Sequence, residues 1–312
     1  MTTQRDIFLL ELLAHARVDK SIILLSVDMG SPALDRWRAE LPEQFCTVGI
    51  SEQFAINLAA GMAAAGRKVY VYFMASFVAR CFEQVRYSCA MPNIPITILG
   101  NGVGEGYYFA GPAHNPTEDI AYMRSLVNVE IVSPANVNMI PALVELTVNE
   151  PKLRYVRLER SCALEVGDYY VDAGVPFVQR GFDLLCRVGR GSSSVAIISS
   201  GYMRGRAVNV AKALSSFHNV AVFDLWRIKP FPLDLVSFLD GFDYVVTLEE
   251  QSLSGGFGSA VLEAVSDHGL KPVRFLRCGL PERFIFENGV RDHLLDTNGL
   301  SVDQIADQIR SL

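Results

Sequence analysis

Glu52 stands at the head of a segment, VGISEQFAINLAAGMAAAGRKVYVYFMASFVARCFEQVR (48–86), that combines the features of a functional carboxylate. A loop turns into a helix at Glu52, a buried strand follows, and an aromatic residue, Phe77, begins the next helical pattern. A lone glutamate at a helix start is ordinarily a first-turn carboxylate favoured by the helix dipole. Here the small residues Ala59, Ala60, Gly61, Ala63, Ala64, Ala65 and Gly66 let another backbone or subunit approach closely, which shifts the balance toward function. His114, in Gly111-Pro112-Ala113-His114, is the second candidate. A loop histidine beside glycine, ahead of a helix N-terminus, is a better functional candidate than a histidine in a periodic stretch. His15, His218, His268 and His293 lie in amphipathic segments and read as structural.

The glycine-rich stretches carry less. Gly102-x-Gly104-x-Gly106 follows a strand but is succeeded by YYFAGP instead of a helix, so it is not the dinucleotide fingerprint. SGGFGSAVLEAV (254–265) places glycines at a helix start, where backbone N–H groups meet anions, yet close helix–strand packing explains them as well. The P-loop, G-x-S-x-G and H-E-x-x-H patterns do not occur.

The elements that must position these residues alternate along the whole chain. Strands are expected at Ser21–Val27, Lys68–Phe73, Ile94–Leu99, Val129–Val132 and Arg154–Leu158, and again at Ser194–Ser199, Val220–Leu225, Tyr244–Leu248 and Val273–Leu276. Helical patterns at the N-terminus, Glu52–Ala65, Phe77–Met91, Pro116–Ser125, Val137–Asn149, Arg204–Phe217, Gly258–His268 and Val302–Ser311 separate them. Pro116 after Asn115 reads as the first helical residue after a cap. Strands such as IILLSV, VAIIS and YVVTL are apolar on both faces, which implies parallel sheets between helix layers. Glu165–Gly181 lacks periodicity and reads as a surface linker, with a domain boundary near residue 180. The expectation is an α/β chain of two three-layer α/β/α domains, 1–180 and 181–312.

Composition excludes several classes. The chain has 312 residues, half of them hydrophobic, too apolar for disorder. Its net charge is −6 with no Lys/Arg-rich run, which argues against a nucleic-acid protein. No run approaches the ~18 apolar residues of a membrane helix. The six cysteines include no C-x-x-C pair, so they read as free thiols in a reducing cytoplasm instead of zinc ligands or disulfides.

The order of the pieces resembles the C-terminal half of transketolase and 1-deoxyxylulose-5-phosphate synthase, nearly end to end. In the first domain the resemblance rests on Ser26-Val27-Asp28-Met29-Gly30-Ser31, Val48-Gly49-Ile50-Ser51-Glu52-Gln53, Ser76-Phe77 with Arg80, the GPAH loop with Glu118-Asp119-Ile120-Ala121, Ser133-Pro134-Ala135 and Tyr155 to Arg160. In the second it rests on Ser200-Gly201-Tyr202-Met203, Asp224 to Pro230, Leu248-Glu249-Glu250 and Gly255-Gly256-Phe257-Gly258-Ser259. Each motif alone is weak; their order and spacing are specific. The resemblance implies a thiamine-diphosphate pyrimidine-binding fold followed by a transketolase C-terminal domain.

It also implies roles. Glu52 would hydrogen-bond the aminopyrimidine N1′ of thiamine diphosphate and favour the imino tautomer that takes the C2 proton. Phe77 would stack on the pyrimidine, with Arg80 and Asp28 on the cofactor side. His114 would hold substrate oxygens, and Arg160 and Ser31 would bind substrate, Arg160 through its bidentate fork. The family's Gly-Asp-Gly motif for Mg²⁺ is absent. A separate N-terminal-type subunit would therefore supply the metal and diphosphate site, in an α2β2 assembly with the cofactor at the interface. The implied activity is transfer of a two-carbon ketol group from a ketose to an aldehyde, on sugar or sugar-phosphate substrates. Gln53-Phe54, Ala113, Asn115 and the bulky Tyr107, Tyr108 and Phe109 depart from the family pattern around the entrance. They imply a substrate other than the ordinary pentose phosphates, one that is larger, deoxygenated or unphosphorylated. Two alternatives share the fold: the β subunit of a 2-oxoacid dehydrogenase E1, and a non-catalytic interaction module. The joint presence of Glu52, His114 and Arg160 argues against the latter.

Overall fold

Runs that are apolar on both faces form the centres of two sheets. The computed structural model describes residues 3–160, 170, 173–270 and 274–312. The first half contributes β1 (Ile22–Ser26), β2 (Phe45–Thr47), β3 (Lys68–Met74), β4 (Ile96–Asn101), β5 (Glu130–Val132) and β6 (Arg154–Leu158). The second contributes β7 (Phe182–Val188), β8 (Ser193–Ser199), β9 (His218–Leu225), β10 (Arg227–Lys229), β11 (Tyr244–Ser252) and β12 (Arg274–Leu280). They assemble into a seven-stranded sheet ordered β10-β5-β6-β4-β3-β1-β2 and a five-stranded sheet ordered β12-β11-β8-β9-β7.

The alternation of side chains sorts the first sheet's core into two layers. Ile23, Leu25, Val71, Phe73 and Ile98 point to one face, against Ala55, Ile56 and Ala59 of the Glu52–Ala64 helix. Ile22, Leu24, Tyr70, Tyr72 and Leu99 point to the other, against the N-terminal helix Gln4–Val18 and the helix Ile140–Asn149. The two-sided α/β architecture is therefore as expected.

The structure adds elements that were not expected, among them β2, β7, β10 and the helices Pro32–Glu40 and Leu233–Leu239, and departs from the expected ones in these respects. The sheets are mixed, because β10 pairs antiparallel with β5 and β7 antiparallel with β9. Phe77–Met91 is not a regular helix but a 3₁₀ segment, Ala75–Cys81, then one α turn, Phe82–Gln84, then a π segment, Val85–Ala90. Pro116 does not start a helix: the helix is Asp119–Arg124, because the Asp119 carboxylate is drawn into a buried pair with Arg157 at 2.7 Å. Finally, the tail of the expected surface linker forms a helix, Val175–Arg180, whose Phe177 stacks on Trp226 at 5.0 Å. Trp226 Nε1 donates to the Val178 carbonyl at 2.9 Å, so this stretch packs into the core of the first sheet. Cys162, Val273 and most of the linker's first half, 165–172, lie outside the described residues.

Candidate active site

Every residue singled out in the first half follows the carboxyl end of a strand in one contiguous block of the sheet. Arg160 follows β6, His114 follows β4, Phe77 follows β3, Asp28 follows β1 and Glu52 follows β2. In open α/β sheets this edge is where ligands bind.

Glu52 is the first residue of its helix, and positions 55, 56 and 59 on the same face are buried in the core. Helical periodicity thus carries the carboxylate inward, leaving its side chain 3% exposed. Its Oε2 lies 3.2 Å from Nη1 of Arg80, itself 55% exposed, and accepts no hydrogen bond. Residues three apart eclipse in a 3₁₀ helix, so Phe77 and Arg80 project from one side of the Ala75–Cys81 segment. That segment links the carboxylate to the histidine loop: the Phe77 ring meets the edge of His114 at 5.9 Å.

His114 is half-buried on a turn in which its N–H donates to the Gly111 carbonyl at 3.0 Å, and its Nδ1 is buried without a hydrogen-bond partner. Tyr107 lies 6.4 Å from the histidine ring. Arg160 sits over two rings, its guanidinium carbon 4.8 Å from the centre of Tyr107 and 4.5 Å from that of Phe109. Contacts thus join Glu52 to Arg80, and Phe77 through His114 and Tyr107 to Arg160, with the Ala75–Cys81 segment carrying both Arg80 and Phe77. Asp28 is exposed in a left-handed conformation (φ 33°) after β1. Ser31 caps the Pro32–Glu40 helix at the Ala33 N–H (3.2 Å) and donates to Asp6 at 2.6 Å. Among the described residues, no hydrogen bond, ion pair or ring contact joins Asp28 or Ser31 to the others.

The structure adds residues that the motifs did not suggest. Glu105, between two glycines, is buried and accepts from Asn115 Nδ2 at 2.5 Å. Asn115 Oδ1 in turn accepts the Tyr107 N–H at 3.1 Å, which fixes the loop carrying His114. Burial, and then the neighbouring Glu250, push the Glu105 carboxyl up to about 7. Glu250 accepts the Glu105 N–H at 3.2 Å and pairs with Arg291, which also holds Glu159. Glu159, Glu250 and Asn115 lie in stretches that the family resemblance singles out, whereas Glu105 and Arg291 carry no motif.

The other glycine-rich stretch is a packing feature, as its second explanation held. Glu249 accepts the N–H groups of Phe257 and Gly258, both at 2.8 Å, and so fills the helix start with a carboxylate of the chain itself. Among the described residues, no cluster of three His, Cys, Asp or Glu side chains is arranged to hold a metal ion.

Comparison with known proteins places both halves. Residues 1–163 match the pyrimidine-binding domain of transketolase, and residues 186–305 match the transketolase C-terminal domain. A 1-deoxy-D-xylulose-5-phosphate synthase of Geobacter sulfurreducens is 29% identical over 100% of this chain and 49% of its own length. The chain spans about half the length of the synthases it matches. An apulose-4-phosphate transketolase subunit of Phocaeicola vulgatus is 33% identical over 90% of this chain and 88% of its own length. Among solved structures, a split-gene transketolase described as an inactive β4 tetramer superimposes with a TM-score of 0.84 at 27% identity, covering 100% of this chain and 98% of that one.

Proposed function

This chain belongs to the transketolase family, and from that premise we propose that it is the C-terminal-type subunit of a split, thiamine-diphosphate-dependent transketolase. In this reading it moves a two-carbon ketol unit from a ketose to an aldehyde, and it is active only with an N-terminal-type partner that holds Mg²⁺ and the diphosphate. The observation that carries the proposal is Glu52, a buried carboxylate with an oxygen that accepts no hydrogen bond, paired with Arg80 on the segment whose Phe77 meets His114.

The residues fit the cofactor's aminopyrimidine. A buried carboxylate oxygen that accepts no hydrogen bond calls for a donor, and a pyrimidine nitrogen carrying or sharing a proton is one. Phe77 offers a ring face, and Arg80 places a positive charge by Glu52. The chemistry that thiamine diphosphate supplies when bound is a carbon nucleophile for the ketose carbonyl. The chain's own residues do the rest: Glu52 shares a proton with the pyrimidine nitrogen, Phe77 fixes the ring plane, and the Nδ1 or Nε2 of His114 bonds a substrate oxygen. Arg160 takes the far end of the substrate.

Partner dependence is supported by the Phocaeicola vulgatus relative, which is matched over 88% of its own length and is itself named as one subunit of a transketolase. Ile50 (73% exposed) and Phe54 (56% exposed) flank Glu52 and suit burial against a second chain. An α2β2 complex places two such sites about a two-fold axis. Both matched domain models are transketolase models, which favours ketol transfer over a 2-oxoacid dehydrogenase role.

The test is reconstitution of the chain with a candidate partner carrying the Gly-Asp-Gly motif, followed by a ketol-transfer assay. Activity should require both chains, and Glu52→Ala should abolish it while leaving the circular dichroism spectrum and the assembly unchanged. Wild-type turnover by Glu52→Ala would refute the assignment.

A further inference from the structure

Tyr107 occupies a built seat. A Cβ on Gly102 would fall 1.9 Å from its Cε2, so the ring lies directly on a backbone that only glycine leaves open. Gly102 is also left-handed, at φ 78°, where side chains are strained. The Tyr107 hydroxyl accepts from Asn101 Nδ2 at 2.9 Å, and its N–H is held by Asn115. Ring position is thus fixed at three points. Phe109 meets Tyr107 edge-on at 6.0 Å, and the Arg160 guanidinium lies within 5 Å of both ring centres. Among the described residues, Arg160 makes no hydrogen bond and no ion pair. The two rings therefore contact the cation from one side and take none of the N–H groups in its plane. An anion approaching in that plane is what a guanidinium edge recognises.

We propose that Tyr107 is a specificity-determining positioning residue: seated on Gly102 and tethered to Asn101, its ring, with Phe109, aims the guanidinium of Arg160 at an anionic group on the end of the substrate. The inference rests on the reading of Arg160 as substrate-facing and adds what sets its direction. Aromatic bulk at the entrance then selects for charge at the far end of the substrate, in addition to narrowing the opening.

The experiment uses the reconstituted complex and aldehyde acceptors of equal carbon number ending in phosphate, in carboxylate or in an uncharged hydroxymethyl group. Tyr107→Leu should raise KM for a charged acceptor about tenfold, the scale of a desolvated cation–π contact, and leave kcat and the uncharged acceptor within about twofold. Tyr107→Phe keeps the ring on its Gly102 seat but loses the Asn101 tether, so it should show the same selectivity at a fraction of the leucine effect. Gly102→Ala, which drives the ring from its seat, should reproduce the leucine effect. Phe109→Ala, at a residue 59% exposed and therefore safe for folding, should show the same selectivity at smaller size. Whichever charged acceptor is affected identifies phosphate or carboxylate. Equal changes on all three acceptors, or none, overturn the proposal. If the wild-type complex transfers no ketol group, the proposed function fails and the clamp is decided by ³¹P NMR of inorganic phosphate with the full chain. Line broadening lost in both Tyr107→Leu and Arg160→Met supports the clamp. Broadening that survives Tyr107→Leu, or is absent from wild type, overturns it.

Discussion

Buried carboxyl groups do two different jobs in this chain, and their partners tell them apart. Asp119 is fully enclosed, with both oxygens taken by Arg157 and Tyr155, so it is a structural acid. Removing one member of such a pair strands the other, so Asp119→Asn should cost about 3–5 kcal/mol in urea denaturation. Glu105 has only the Asn115 amide, and burial with Glu250 nearby holds its carboxyl at about 7 against an ordinary 4.5. An acid whose folded-state pKa is raised contributes stability that is complete below the unfolded value and lost as pH climbs through the folded one. Thermal stability should therefore fall between about pH 4.5 and 7 on account of Glu105. Asp224, pushed up to about 6 by burial, adds to the same trend. Glu105→Gln keeps an acceptor for Asn115 and cannot ionise, so its melting temperature should decline less from pH 5 to pH 8. An unchanged slope would show that Glu105 does not titrate there.

At the scale of elements, pattern reading worked where burial is regular and failed where distant contacts decide. β1 and β4 are buried at every position, and their apolar runs announced them. β10 has three residues and exists only because β5, far away in sequence, lends it an edge. No local period encodes that pairing. The Ala75–Cys81 segment has a helical apolar spacing but tightens to 3₁₀, and the tightening is what sets Phe77 and Arg80 side by side. The roles of Glu52 and His114 were suggested by motif and context, whereas Asn101 and Gly102 became visible only once Tyr107 was seen resting on them. Gly258 offers a test of element packing. An added Cβ would lie 2.5 Å from Thr247 Oγ1 and 2.6 Å from Glu249 Oε1, at the point where Glu249 closes the helix start. Gly258→Ala should thus destabilise by about 1–3 kcal/mol, read by chemical denaturation, because the strand beneath has no room to yield.

At the scale of the whole molecule, the two sheets are joined by an apolar core and by one buried ion cluster. Ile131, Tyr155 and Met123 from the first half share a continuous core with Phe182, Ile198, Phe223 and Phe257 from the second. Such an interface predicts one cooperative unfolding transition, seen alike by fluorescence and circular dichroism. Arg291 clasps the cluster, with Nη1 2.7 Å from Glu159 beside β6 and Nε 2.8 Å from Glu250 in β11. Glu250 also receives the Glu105 N–H, so the loop that carries Tyr107 and His114 is anchored on the second sheet through this arginine. Arg291→Leu would leave buried carboxylates facing one another without a cation, a loss of about 3–5 kcal/mol. The loss should depend on pH in a definite sense. Burial already raises the Glu250 carboxyl, and removing the arginine that opposes this shift raises it further. As pH falls the Glu250 carboxyl takes up a proton and the repulsion ends. The deficit of Arg291→Leu should therefore be large at pH 8 and smaller at pH 5, measured as the difference in urea midpoint from wild type at each pH. An equal deficit at both would mean that Arg291 acts through packing alone, and that the second sheet does not hold the loop of Tyr107 and His114 by charge.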